Sequence, residues 1–183
     1  VELTEQRQTI RHNDIIKSFS RSLKFQATSH AYLFLGPSGI GKMTMAIDLS
    51  KALNCPQPEP PCGTCASCNR IAQGLHADIR VLELANTESN NSSQTRIGIG
   101  QIRSIQKECA LKPYEGKTRV IIINNASLLT EEASNALLKT LEEPPNNVTF
   151  IILAPDKVDV LPTILSRCNV ISLRPVSTSF LAE

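Results

Sequence analysis

Short apolar runs alternate with amphipathic segments along the chain, and this alternation is the main feature of its sequence. Continuous apolar runs are typical of strands that are covered on both faces. They predict strands over residues 31–35, 79–84, 119–123, 148–153 and 170–173. Because helical segments separate these runs, the sequence predicts an α/β domain with three layers around a five-stranded parallel sheet.

The amphipathic segments predict helices from apolar residues spaced three or four positions apart. One lies near the N-terminus, and a second ends near Asn54. A third starts near Gly100 and breaks at Pro113, and a fourth runs over 131–143 between a Thr130 cap and Pro144. The apolar faces of the first three are Ile15, Phe19 and Leu23; Met45, Leu49, Ala52 and Leu53; and Ile102, Ile105 and Leu111.

A glycine-rich turn after the first predicted strand has the pattern of a phosphate-binding loop. In the template G-x-x-x-x-G-K-[ST], backbone N–H groups surround an oxyanion, the lysine meets the outer phosphates and the hydroxyl holds Mg²⁺. The predicted nucleotide-binding residues are Gly36, Gly39, Gly41 and Lys42. A plain glycine-rich turn before a helix remains the alternative.

The template fails at one position, because Met43 stands where the magnesium-binding Ser or Thr belongs. Thr44 follows directly, but one step along a helix rotates a side chain by about 100°, so we do not expect Thr44 to replace that ligand. The sequence therefore predicts an anion site that binds ATP or ADP weakly.

Two consecutive C-x2-C steps and one upstream cysteine have the spacing of an all-cysteine zinc site. The predicted ligands are Cys55, Cys62, Cys65 and Cys68, which leaves Cys109 and Cys168 as free thiols. Four protein ligands leave no open position on a tetrahedral ion, so the expected role of this zinc is structural. Unligated thiols and an iron–sulfur cluster remain alternatives, although the cluster pattern wants its fourth cysteine downstream.

Charge and hydropathy narrow the possible function classes. The net charge of +2 is too small to attract nucleic acid in bulk, so such a contact needs a local patch. The apolar runs are far shorter than the ~20 residues of a membrane span, and no signal peptide is visible. We therefore expect a cytoplasmic protein without membrane contact, and the ends of the sequence indicate a piece of a longer chain.

Four stretches, in this order, resemble the bacterial clamp-loader subunits of DNA polymerase III. They are His-Ala-Tyr-Leu-Phe at 30–34, the four cysteines, Asn-Ala-Leu-Leu-Lys-Thr-Leu-Glu-Glu-Pro-Pro at 135–145, and Leu-Ser-Arg-Cys at 165–168. The resemblance covers roughly residues 24–174. It implies an AAA+ P-loop domain over residues 1–175, a zinc module inserted at about 55–70, and a lid domain that starts at 176–183.

The same resemblance implies a complex that opens the ring-shaped sliding clamp and places it on primed DNA. The implied partners are gamma or tau and delta subunits, the sliding clamp, and primed DNA. Because a loader acts at any primed site, we expect contacts to DNA phosphates rather than to bases. Arg103 and Lys107, one turn apart on the third predicted helix, are the candidate residues.

Three departures separate this chain from the active ATPases of the family. Met43 is the first. Asn124 and Asn125 follow the third strand where active members carry acidic residues, and the fourth strand runs into Pro155 without the Thr that senses the γ-phosphate. An amide cannot act as a general base and is a poor magnesium ligand. We therefore expect no hydrolysis by this chain, which would serve a polymerase complex without being an enzyme by itself.

Arg167 of the Leu-Ser-Arg-Cys stretch matches the arginine that, in this family, reaches the ATP of a neighbouring subunit as an arginine finger. A lost ATPase site beside such a finger resembles the delta-prime class of subunits, which act as stator and trans-activator. Three alternatives stay open. They are Arg167 as an ordinary surface ion-pair residue, an active tau- or gamma-type ATPase, and an unrelated P-loop NTPase with a zinc module.

Overall fold

The computed structural model describes residues 29–84 and 96–173. The strands are β1 (Ala31–Leu35), β2 (Ile79–Leu82), β3 (Arg119–Ile123), β4 (Val148–Ala154) and β5 (Asn169–Ser172). The helices are α1 (Lys42–Asn54), α2 (Ala66–Ala72), α3 (Ile99–Cys109), α4 (Glu131–Glu142) and α5 (Pro162–Leu165). Two short 3₁₀ helices, Ala126–Leu128 and Lys157–Asp159, follow β3 and β4.

The five strands form one parallel sheet in the order β2-β3-β4-β1-β5. In this register Leu33 of β1 lies between Ile152 of β4 and Val170 of β5. The sheet confirms the predicted five-stranded parallel arrangement. Because parallel strands all end at one edge, the loops that follow β1, β3 and β4 meet there.

Side chains from the two faces of the sheet build two cores, and this arrangement gives the fold its three layers. On one face, Leu33 packs with Ile105 of α3 and Leu137 of α4. On the other face, Phe34 packs with Leu49 of α1. Every residue of β1 and β4 is buried, which explains why these strands are continuous apolar runs rather than alternating patterns.

Local chemistry sets the ends of α4 and fixes its packing. The Thr130 hydroxyl accepts a hydrogen bond from the Ala133 N–H at 3.2 Å and so caps the helix, as predicted. The helix stops before Pro144, which cannot continue it. Gln106 of α3 donates to the Thr140 hydroxyl at 2.8 Å and joins the two helices on their side of the sheet.

Some local predictions were wrong. Leu111 does not belong to the buried face of α3, because the helix ends at Cys109 and leaves Leu111 66% exposed. Cys109 occupies the buried position instead. β2 ends at Leu82, two residues earlier than predicted, at the edge of the sheet. The short helices α2 and α5 were not predicted, since one or two turns carry too few residues for a periodic pattern.

The predicted N-terminal helix and the start of a lid at 176–183 lie outside the described residues. The domain bounds that depend on them stay predictions. In the ranges 29–84 and 96–173, none of the helices is long and apolar enough to cross a membrane.

Candidate functional sites

The loop between β1 and α1 has the backbone shape of an anion cradle. Gly39 (φ +77°) and Gly41 (φ +97°) lie in the left-handed region that favours glycine. Gly41 is also the N-cap of α1, and no side chain caps this helix, so its first N–H groups are open to an anion. At Gly36 an added Cβ would lie 2.8 Å from the Leu173 carbonyl oxygen, which leaves room for glycine alone.

Lys42 begins α1 and lies against its own loop. Its ammonium donates to the carbonyl oxygens of Gly36 at 2.5 Å and Pro37 at 2.8 Å. Burial lowers the pKa of this ammonium from its ordinary value. A phosphate oxygen can replace one of these carbonyl acceptors and restore the lysine contact that the loop pattern requires.

A cavity of about 380 Å³ opens beside the phosphate loop. It is formed by the loop, the first turn of α1 and the residues that follow β3 and β4. The described residues that line it are Ser38, Gly39, Gly41, Lys42, Met43, Thr44, Asn124, Asn125, Leu153, Ala154 and Pro155. None of these lining residues is an Asp or Glu, so no carboxylate stands in the wall where a magnesium ion would need one.

Three of the positions that, from the sequence, we expect to depart from the family's active ATPases lie in one place. Met43, Asn124 and Pro155 belong to three different loops or elements, yet all three line this cavity. Thr44 lines the cavity as well. The rotation of side chains along a helix had led us to expect that Thr44 would not take the place of the magnesium-binding hydroxyl.

The two asparagines after β3 are held by contacts outside the phosphate loop. Asn125 adopts φ +82°, and its side-chain oxygen accepts hydrogen bonds from the N–H and the hydroxyl of Ser127 at 3.2 and 2.7 Å. Asn124 donates to the Glu83 carboxylate at 3.4 Å. Sequence reasoning missed Glu83, which lies just after β2 and reaches Asn124 only because β2 and β3 pair in the sheet.

The four predicted zinc ligands lie together in one cluster. The sulfur atoms of Cys55, Cys62, Cys65 and Cys68 are all within 4.8 Å of one another, and Cys55 and Cys65 are 4.0 Å apart. Zn–S bonds of about 2.3 Å in a tetrahedron place sulfurs roughly 3.8 Å apart, so the cluster fits one zinc ion after small adjustments. An all-thiolate set of this size also suits zinc chemically.

The surroundings of two thiols in the cluster shift their pKa values in opposite directions. Backbone N–H groups of Thr64 and Cys65 lower the pKa of the Cys62 thiol to about 6. Burial raises the pKa of the Cys68 thiol, at the start of α2, to about 12. Because a metal binds thiolates, zinc uptake must displace the proton of the Cys68 thiol.

The cysteine module is fastened to the loop that precedes β3. Lys117 donates to the Cys55 carbonyl oxygen at 2.8 Å, and the Thr118 N–H donates to the Asn54 side-chain oxygen at 3.0 Å. At Gly116 a Cβ would lie 2.4 Å from that same Asn54 oxygen, so a larger residue there would displace the Asn54 side chain. The module therefore stabilises the loop that leads into β3.

Asp78 forms a second link at the same end of the sheet. Its carboxylate accepts hydrogen bonds at 2.8 Å from the N–H groups of Tyr114, Glu115 and Gly116, and one at 3.1 Å from Arg119. Burial by itself raises the pKa of the Asp78 carboxyl, but these four donors outweigh it and lower the pKa to about 2. The pattern of apolar runs gave no indication of this network.

Arg167 lies just after α5, and contacts within the chain hold its guanidinium. It donates to the Glu142 carboxylate at 2.6 Å, the Thr163 carbonyl oxygen at 2.9 Å and the Ser166 hydroxyl at 3.3 Å. Its side chain is 33% exposed. Arg167 is thus a surface residue with an ion-pair partner, and it is not among the described residues that line the cavity beside the phosphate loop.

The candidate DNA-contacting residues Arg103 and Lys107 are both exposed on α3. They lie on the face opposite the buried Ile102 and Ile105. The face with Ile102 and Ile105 packs on α4, so Arg103 and Lys107 are open to solvent in the described part of the chain.

Comparison with known proteins identifies the family. A family model described as "DNA polymerase III, delta subunit" matches residues 11–177. The tau subunit of Bacillus subtilis is 38% identical over 157 residues, which cover 85% of this chain and 26% of that protein. The gamma subunit of Buchnera aphidicola is 35% identical over 174 residues, which cover 93% of this chain and 45% of that protein. The chain therefore spans less than half the length of these two relatives.

Solved structures show the same fold at lower identity. A DNA polymerase III gamma subunit-related protein from Thermotoga maritima aligns with a TM-score of 0.65 and 20% identity, covering 90% of this chain and 47% of that one. The P216G mutant of RuvB from the same organism aligns with a TM-score of 0.54 and 14% identity, covering 96% and 48%. This likeness supports the predicted AAA+ fold. Because the family model matches residues 11–177, which are most of this chain, the chain belongs to the family described as DNA polymerase III, delta subunit, among the AAA+ clamp-loader proteins.

Proposed function

We propose that this chain is a non-hydrolysing clamp-loader subunit of DNA polymerase III, of the delta-prime type. The observation that carries the proposal is the cavity beside the phosphate loop, whose wall keeps Lys42 but has no carboxylate among its lining residues. Phosphoryl transfer needs magnesium ligands and a group that orients the attacking water. Met43, Asn124 and Asn125 are poorly suited to either task, so the site holds an anion without hydrolysing it.

The contribution to activity is then made in trans by Arg167. In the assembled loader its guanidinium meets the nucleotide of a neighbouring gamma or tau subunit and stabilises the charge of the transition state. The rest of the chain acts as a stator that holds its neighbours, delta included, around the sliding clamp and the phosphates of primed DNA. The zinc module braces this scaffold and takes no part in catalysis.

An active tau- or gamma-type ATPase is the second candidate, and two observations favour it. The relatives compared above carry the names tau and gamma. Glu83 brings a carboxylate into contact with Asn124, which lines the cavity. In an active enzyme Glu83 would serve in place of the missing acidic residues.

ATP turnover by the purified full-length protein separates these candidates. In the presence of clamp and primed DNA, we expect the wild type to hydrolyse no more ATP than its Lys42→Ala variant. Turnover that Lys42→Ala and Glu83→Gln both abolish would identify a working ATPase and overturn the proposal.

The trans role of Arg167 has its own test in the reconstituted loader. Arg167→Ala should lower ATP turnover at one neighbouring site by about 10³-fold, because a positive charge at the transition state is lost. Arg167→Lys should rescue poorly, since a compact ammonium does not reproduce the planar guanidinium. A variant complex that assembles normally and loads clamps at the wild-type rate would reduce this chain to a passive stator.

A further inference from the structure

The Arg167 side chain is held in one direction before any partner is present. Glu142, at the end of α4, accepts from one terminal nitrogen of the guanidinium, and the Thr163 carbonyl and Ser166 hydroxyl accept from the other. These three contacts use three of the five N–H groups of an arginine. Two N–H groups and a third of the side chain remain available to an outside acceptor.

Of these three contacts, the one to Glu142 comes from a separate element. Thr163 and Ser166 lie within four residues of Arg167, so they move with it. Glu142 belongs to α4, a helix of 12 residues that is packed into the core through Leu137 and Leu141. The Glu142 contact therefore ties the guanidinium to the rigid body of the domain.

We propose that Glu142 is a positioning residue that orients Arg167 toward the nucleotide of the neighbouring subunit. The inference rests on the proposed trans role of Arg167. The Glu142 side chain is 51% exposed, so solvent screens its charge and the pairing leaves the arginine able to attract a phosphate. Its main effect is geometric, because a side chain already held in place loses less freedom when it engages a partner.

The test uses the full-length protein in a reconstituted loader whose other ATPase sites carry alanine at their phosphate-loop lysines. Glu142→Ala should lower kcat at the remaining site by about 10-fold with little change in KM, since misplacement of a catalytic group acts on the transition state. Glu142→Gln should stay within about twofold of the wild type, because its amide oxygen still accepts a hydrogen bond from Arg167. The matched control is Glu143→Ala, which removes the neighbouring exposed acid and should leave kcat unchanged.

Two further measurements separate positioning from simple loss of stability. The melting temperature of Glu142→Ala should equal that of Glu143→Ala, because an exposed ion pair contributes little to stability. In the double variant Glu142→Ala/Arg167→Ala, turnover should fall no further than in Arg167→Ala, since Glu142 acts through that arginine.

The outcomes distinguish the two proposals. If Arg167→Ala is impaired but Glu142→Ala matches its Glu143→Ala control, the positioning inference is wrong and the trans role stands. Faster turnover in both Glu142 variants would also overturn it, because Glu142 would then compete with the phosphate for Arg167. Wild-type turnover in Arg167→Ala would refute the trans role and the positioning inference together.

Discussion

Asp78 is the residue on which the loop before β3 depends. Its side chain has 0% exposure and remains ionised because four donors surround it. A carboxyl pKa that is lower in the folded than in the unfolded protein stabilises the fold above the unfolded pKa of about 4. That stabilisation, about 2 kcal/mol, is lost as the pH falls through the folded pKa of about 2.

Replacing Asp78 by Asn should therefore destabilise the protein at neutral pH by about 3 kcal/mol, because Arg119 loses its buried partner. Denaturant unfolding at pH 7 measures this loss, with the exposed Glu143→Gln as control. Between pH 4 and pH 2 the variant should lose less stability than the wild type. Equal acid sensitivity of the two proteins would show that Asp78 titrates normally.

Lys42 and Met43 are adjacent and determine different properties of the phosphate loop. We expect ATP to bind weakly and to depend little on Mg²⁺, because the lysine and the helix N-terminus attract the phosphates while magnesium ligands are missing. Titration calorimetry with and without Mg²⁺ measures this, and Lys42→Ala should abolish binding. The double variant Met43→Ser/Asn124→Asp should acquire a magnesium requirement. A strong requirement in the wild type would contradict our account of the cavity.

At the scale of elements, the cysteine module and the loop before β3 form one unit. The module supplies the Cys55 carbonyl and the end of α1 supplies the Asn54 side chain as acceptors, and the loop supplies Lys117 and Thr118 as donors. Asp78, which directly precedes β2, accepts hydrogen bonds from the same loop. If the module holds zinc as predicted, removal of the zinc should therefore destabilise the sheet as well as the module.

Elemental analysis of the purified protein should find one zinc per chain. Cys62→Ser should lower the zinc content and the melting temperature, because three thiolates hold the ion less well. Cys168→Ser, outside the cluster, is the control and should keep its zinc. Bound iron would favour a cluster instead, and four thiols that titrate freely in the folded protein would exclude a metal.

At the scale of the whole molecule, the order of the strands creates the candidate nucleotide site. β1 lies next to β4, and β4 lies next to β3, so the loops after all three strands meet at one edge. Arg167, the proposed finger residue, follows α5 and pairs with the end of α4. One domain thus carries a cavity beside the phosphate loop and, on another element, the arginine that we propose acts on a neighbouring subunit.

The exposed face of α3 is the candidate contact with DNA. Replacing Arg103 and Lys107 by Gln should weaken DNA-dependent clamp loading. The slope of log K for DNA binding against log salt concentration should also decrease, by the amount expected for the loss of roughly two phosphate contacts. Binding measured across a salt series gives the slope, and Lys157→Gln, an exposed lysine after β4, is the control. An unchanged slope would make the pair an ordinary solvated surface.

The sequence by itself determined the elements whose causes are local. The apolar runs predicted β1 and β3 with their observed bounds, because burial on both faces demands continuous apolar residues. Thr130 and Pro144 fixed α4 within one residue, since caps and prolines act on their immediate neighbours. The spacing of the cysteines identified the four residues that the structure brings together as a candidate metal site.

Tertiary structure alone decided the contacts between residues far apart in sequence. Asp78 and Arg119 are 41 positions apart, and Glu142 and Arg167 are 25 apart, so no local pattern links them. Glu83 meets Asn124 only because β2 and β3 are neighbours in the sheet. Leu111 had the spacing of a buried residue but lies beyond the helix end. Hydrophobic periodicity indicates which side chains are buried in the core, whereas strand order and helix ends decide which polar groups come into contact.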